Sequence, residues 1–381
     1  MTPSGIGRQQ PPTRTFVCRR GRPQAYTGRR RARIWLRSIR SNRFTWPAYP
    51  PGTVKHRVVE ERVARAEDLP PLQLRELRML DLDEPSVPGG HAHVAAASGV
   101  VRRAEFVYVV GDDELHLAVF DATSGDPGRL RRALSGELPV DPEERKKHKP
   151  DLEAITTLPP FKGHPHGALL GLGSGSTPER DRGFAWALGP DGGLDGEPVE
   201  LDLRPLYELL RNDLEELNVE GAAVMGDELW LLQRGNTEQG ANLVVALSCS
   251  EVIESLSRDR TLAAEELRRV LAFDLGELEG CPLTFSDASA LAGELLVFTA
   301  SAEDSEGTSK DGAILGSVVG TIDGAGEVRR LRTIDRKYKV EGVHAFLDNG
   351  VISMTLVCDQ DDPEVPSPLL SATMALEPGA A

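Results

Sequence analysis

A single motif constrains this chain more than any other feature, because it returns at intervals of 54 to 67 residues. Its clearest copy is "NVEGAAVMGDELWLLQRGN" from Asn218 to Asn236: an acid, a short apolar run, Gly-Asp, a second apolar run and a polar tip. Weaker copies are "LEAITTLPPFKGHPHGALLGLGSGS" from Leu152, "SDASALAGELLVFTASAED" from Ser286 and "VEGVHAFLDNGVISMTLVCDQDD" from Val340. A fifth, "SGVVRRAEFVYVVGDDE" from Ser98, lacks the acid. Repeats of this length belong to propellers and solenoids, whose units bury their apolar faces only against neighbouring units.

The local chemistry is β. Gly226-Asp227 and Asn349-Gly350 sit between apolar runs, where tight hairpins need positive φ. Runs such as "ELWLLQR" and "VISMTLVC" are rich in β-formers and largely apolar, as strands covered on both faces are. "GFAWALG" and "PVELDL" supply third and fourth strands of one unit, and "AILGSVVGTID" and "EVRRLRTID" those of another. Helical pattern is confined to "LRPLYELLRNDLEEL" (203–217), between units, and more weakly to "LAAEELRRVL" (262–271). The last unit is short of strands after "SATMALE", while "LRELRMLDLD" (74–83) has one to spare. Pairing them closes a ring and removes an exposed edge. The expectation is an all-β chain forming a single β-propeller of five blades, closed by an N-terminal strand, with one inter-blade helix. A sixth blade within 58–97 remains open.

Charge divides the chain. Residues 1–57 hold fourteen Lys and Arg and no acid, leaving 30 basic against 59 acidic residues in 58–381. The first segment reads as a disordered extension or as upstream sequence outside the true start; 58–381 is the propeller. The acidic body repels nucleic acid and anionic membranes and attracts cations. No apolar run is long enough for a membrane span. Cys18, Cys249, Cys281 and Cys358 lie far apart without a CxxC, which speaks against a zinc site or a disulfide framework and for a reducing, cytoplasmic compartment.

In a propeller the innermost strands line a channel, so equivalent positions form a ring. On this alignment Glu153, Glu220, Asp287 and Glu341 converge at one channel mouth. Carboxylates brought together cannot all ionise without compensation. They can hold a cation such as calcium, or pair with Lys149 and Lys339 nearby. Alternatively Glu153, Glu220 or Glu341 keeps a proton for general acid catalysis. "LGSGSTPERDRG" (172–183) has an anion-cradle composition, with Ser174, Ser176 and Arg180. Arg234 and Asn236 hold the corresponding place in the next unit. Asp112, Asp113, Asp304, Asp359, Asp361 and Asp362 fall at loop tips, and read as solvated turns. His164 and His166, like His91 and His93, lack a third ligand at metal spacing and read as loop residues. No G-x-S-x-G is present.

At "KPDLEAIT", "LGLGSGSTPERDRG", "NVEGAAVMGDELWLLQRGN", "FSDASAL", "DGAILGSVVGTID" and "KVEGVHA" the chain resembles a bacterial propeller family of unknown function, which implies the fold and no reaction. The entries "VEGAA", "VEGVH" and "LEAIT" are more loosely similar to those of esterase-like phytase propellers. That similarity implies phosphoester hydrolysis, often with calcium. Three functions follow as expectations: binding of a small ligand or cation at the acidic mouth, hydrolysis by the channel carboxylates, or a protein-interaction scaffold.

Overall fold

The computed structural model describes residues 60–139, 141–214, 216–235, 241–291, 295–304, 313–334 and 338–376. The basic segment 1–57 and Asn236 therefore lie outside the described residues.

Five antiparallel sheets surround a channel. The first contains Ala97–Arg103, Phe106–Gly111, His116–Asp121 and Arg129–Arg132. The second contains Leu152–Leu158, Ala168–Gly173, Arg182–Ala187 and Val199–Asp202. The third contains Val219–Met225, Glu228–Gln233, Asn242–Ser248 and Arg269–Asp274, and Glu60–Val63 joins its outer edge in parallel. The fourth contains Thr284–Leu291, Leu295–Asp304, Ala313–Asp323 and Val328–Thr333. The fifth contains Lys339–Asp348, Val351–Asp359 and Pro368–Ala375. Its outermost place is taken by Arg75–Met79, where Arg75 pairs with Ser371 and Met79 with Pro368. The ring has five blades, and the N-terminal strand closes it. The first strand of each blade packs against the first strands of the two blades beside it, from the first round to the fifth and back.

Apolar clusters lie between neighbouring blades, one at each junction around the ring. The strand Glu228–Gln233 shows why. Leu229 and Leu231 enter the cluster shared with the second blade, while Trp230 and Leu232 enter the one shared with the fourth. Both faces of the strand are covered, so its apolar run is continuous. At the hairpin tips Asn349 and Gly350 both have positive φ (51° and 79°), and Gly226 stands at φ 60°. These are the backbone states that tight reversals demand.

Among the described residues three α-helices stand between strands. Pro142–His148 precedes the second blade, and Arg204–Asp213 links the second to the third as its amphipathic pattern predicts. Cys249–Asp259 follows Ser248, whose side chain accepts from the Glu251 N–H at 3.4 Å. The pattern at 262–271 is not a helix. Leu262 and Leu267 are two points of core contact in a connection, and Val270 and Leu271 pair with Val245 and Val244 in the sheet. Among the described residues no helix is long and apolar enough to cross a membrane.

Candidate functional site

All five inner strands carry a bulge at the same level. Ladder pairing skips one residue, successively Ser98, Glu153, Glu220, Ser286 and Glu341. A bulge frees a residue from the alternation of the strand and re-aims it. The ring at the mouth is thus three glutamates and two serines. Asp287 belongs one step further along, where the other blades have Gly99, Ala154, Gly221 and Gly342. The spacing that placed Asp287 among the ring acids is off by one residue, a difference no repeat of uneven length displays.

In the second to fifth blades the residue two steps before the bulge faces a residue of the second strand or just beyond it. Lys339 lies opposite Asp359 and Thr284 opposite Ser301. Asp151 meets Ser174, whose N–H donates to the Asp151 carbonyl at 2.9 Å, and Asn218 meets Arg234 in the same way at 2.9 Å. Polar and charged groups therefore crowd a second level just above the glutamates.

Four cations organise this level. Lys339 Nζ is 3.4 Å from Glu341 Oε1, 3.2 Å from Asp359 Oδ2 and 3.0 Å from Asp361 Oδ1, with Glu303 at 3.8 Å. Arg234 reaches Glu220 at 3.4 Å, Thr284 Oγ1 at 3.3 Å and Glu303. Lys149, which caps the first helix, lies 2.9 Å from Asp151 Oδ1 and also contacts Asp112. Arg180 Nη1 is 2.6 Å from both Asp151 Oδ2 and Ser176 Oγ. Ser174 Oγ donates to Asp151 Oδ2 at 2.5 Å and lies 2.9 Å from Ser176 Oγ. The Gly-Ser loop is thus folded inward on a carboxylate. Asn218 Nδ2 donates to Glu220 Oε1 at 2.6 Å. Carboxylate oxygens of Asp112, Asp151 and Glu153 all come within 4.8 Å of one another.

Burial and mutual repulsion push the acids toward their neutral forms. Burial, opposed by Arg234, raises Glu220 to about 8. Burial raises Asp112 to about 7 against the pull of Lys149, and Asp361 to about 7 with the help of Asp359. Glu153 is held well above the usual carboxylate range by burial and then by Glu220, and Glu341 is raised although Lys339 and Arg234 oppose it. Burial works against the charge of Lys339 and of Lys149, yet the acids around each raise both above the ordinary lysine value.

Asp112 and Asp361 stand at a turn and a bend as expected, and with Asp359 they join this network through Lys149 and Lys339. Asp151 and Glu303 had no signal beyond sitting two residues before one bulge and just past the end of a strand pairing. Asp113 pairs instead with Arg145 at 3.2 Å. His166 lies apart from this network, where it lines a cavity of about 400 Å³ with Arg103 and Asp191. Cys249, Cys281 and Cys358 are buried.

A model described as "Family of unknown function (DUF6929)" matches residues 93–374. The chain belongs to that family. No curated protein matches it in sequence. Among solved structures it is similar to the glutaminyl cyclase of Myxococcus xanthus, at 13% identity and a TM-score of 0.40, over 81% of this chain and 100% of that one. The α-L-arabinofuranosidase of Podospora anserina, in complex with cellotriose, aligns at 9% identity and a TM-score of 0.44, over 82% and 98%. An α-L-arabinanase mutant of Cellvibrio cellulosa aligns at 14% and 0.39, over 73% and 91%. Likenesses at this level carry no chemistry to this chain.

Proposed function

We propose that this protein is a binding propeller that takes a small cationic ligand, with calcium as its simplest representative, at the acidic mouth of its channel. One observation carries the reading. Eight carboxylates (Asp112, Asp151, Glu153, Glu220, Glu303, Glu341, Asp359 and Asp361) share one network with four cations, Lys149, Arg180, Arg234 and Lys339. The deficit of positive charge is met by protons in the free protein, and a cation can replace them. Calorimetric titration of calcium into the full chain, beside Glu220→Gln, tests this. Saturable binding weakened in the variant is expected. Absence of heat from the unaltered protein would sink the reading.

A hydrolase using the same carboxylates is the second reading. Glu220, protonated up to about pH 8, is a proton donor at neutral pH beside the acids Glu153 and Glu341. Turnover on a panel of esters, phosphoesters and glycosides, abolished by Glu220→Gln, would support it. No turnover on any of them would discard it.

A further inference from the structure

The mouth network leaves one carboxyl outside its pairing. Asp287 is completely buried, at 0% exposure. Its Oδ2 accepts from the Val343 N–H at 2.8 Å, and its Oδ1 has no hydrogen-bond partner. Val343 lies two residues past Glu341 on the inner strand of the fifth blade. Its N–H is given to a side chain of another blade, so it belongs to the inner edge of that strand, which faces the channel. The Asp287 carboxyl therefore stands in the channel throat, below the glutamate ring.

The surroundings fix this placement. At the level of Asp287 the inner strands close on one another. A Cβ on Gly221 would stand 3.0 Å from Asp287 Cα, and one on Gly342 would stand 2.8 Å from Ser98 O and 3.0 Å from Gly99 Cα. Every other blade has glycine or alanine here. Asp287 alone brings a charged group to this level, with the strand bearing Glu220 on one side and that bearing Glu341 on the other. Burial raises its pKa far above the usual carboxylate range, the backbone N–H groups of Val343 and Ala288 oppose this, and Glu341 and Glu220 raise it further. By contrast Asp112, Asp151 and Glu153, the trio whose spacing suits a metal, already have Lys149 among them.

We infer that the throat, at Asp287 Oδ1, is the position of a desolvated metal cation that is reached through the channel-mouth acids. This rests on the reading of the mouth as cation-binding and specifies it: a bare hard ion and not an organic cation, because the strands abutting around this 0%-exposed carboxyl leave no opening for an organic cation. Such an ion takes oxygen ligands from carboxylates and backbone carbonyls. It would also supply the missing partner of a buried polar atom, which otherwise goes unmade at a cost.

Calcium is titrated into the full chain and into Asp287→Asn. The asparagine keeps an oxygen for the Val343 N–H and places an uncharged group in the throat. Binding is expected to weaken by about 100-fold or more, since even an indirect partner of a metal accounts for about 10 to 100-fold. The calcium-dependent rise in melting temperature is expected to vanish with it. Asp287→Asn binding like the unaltered chain would overturn the throat site while leaving the mouth reading intact. No binding by the unaltered chain would overturn both. Should the variant fail to fold, anomalous scattering from terbium-soaked crystals of the unaltered protein decides. A peak beside Asp287 is expected, and a peak confined to Asp112 and Asp151 would overturn the inference.

Discussion

At the scale of single residues, the channel mouth depends on cations that are themselves buried. Lys339 touches four carboxylates and is nearly hidden from water. Removing one side of a buried ion network leaves uncompensated charge, which costs roughly 3–5 kcal/mol. Lys339→Met is expected to lose that much stability, read from urea denaturation, and to lose more as pH rises, because the stranded acids can take up protons only at low pH. An unchanged midpoint would show that the network contributes nothing. The unaltered protein has its own pH dependence. Acids whose folded pKa is raised favour folding at low pH, and that advantage is lost as pH rises through the folded value. Asp112 and Asp361 are raised to about 7 and Glu220 to about 8. His344, lowered by burial to about 4, acts in the opposite sense but only below its ordinary 6.5. The lysines stay charged in both states here. Stability is therefore expected to fall between pH 6.5 and about 8, by up to about 1.4 kcal/mol per pH unit for each proton released, and Glu220→Gln should flatten the slope. A profile that rises across this window would show the acids ionised throughout.

At the scale of elements, ring closure rests on one short strand. Arg75–Met79 covers the edge of Pro368–Ala375, and Leu80, just beyond it, is buried in the cluster between the fifth and first blades. A chain beginning at Leu82 would lose both and present an unpaired apolar edge, the usual template for aggregation. Light scattering is expected to show self-association of this truncation at concentrations where the full chain is monodisperse. A monodisperse truncation would show that the fifth blade is complete without the strand. The closing strand was legible because it was surplus: one unit had too few strands and another segment had one too many. The third helix was not. Its start at Cys249 follows directly on an apolar strand, and the pattern at 262–271 mimics a helix because an irregular connection happens to bury Leu262 and Leu267 before a strand begins.

At the scale of the molecule, the core is divided into clusters between blades, and each blade contributes to two of them. A closed ring of this kind gives no blade an independent core, so unfolding should be cooperative. Trp186 reports on the cluster between the first and second blades, and Trp230 on that between the third and fourth. Trp186→Phe and Trp230→Phe each leave the other as a core probe. Their fluorescence transitions are expected to coincide, once each is referred to its own variant's far-ultraviolet midpoint. Separate transitions within one variant would show that blades melt singly.

The repeat, the strand count, the hairpin turns and the gathering of Glu153, Glu220 and Glu341 were all readable from the chain, because spacing and alternation are properties of order along it. Lys149 and Lys339 were legible as partners because they lie close to the acids along the chain. The pairs that cross blade boundaries were not: Lys149 meets Asp112, Arg234 meets Glu303, and Lys339 comes within 3.8 Å of Glu303, and which residue meets which is set by the rotation from one blade to the next. The bulge decided the rest. By dropping one residue from the pairing of every inner strand, it put Ser286 in the ring and moved Asp287 into the throat, a one-residue shift that only the hydrogen-bonded register of the folded sheet defines.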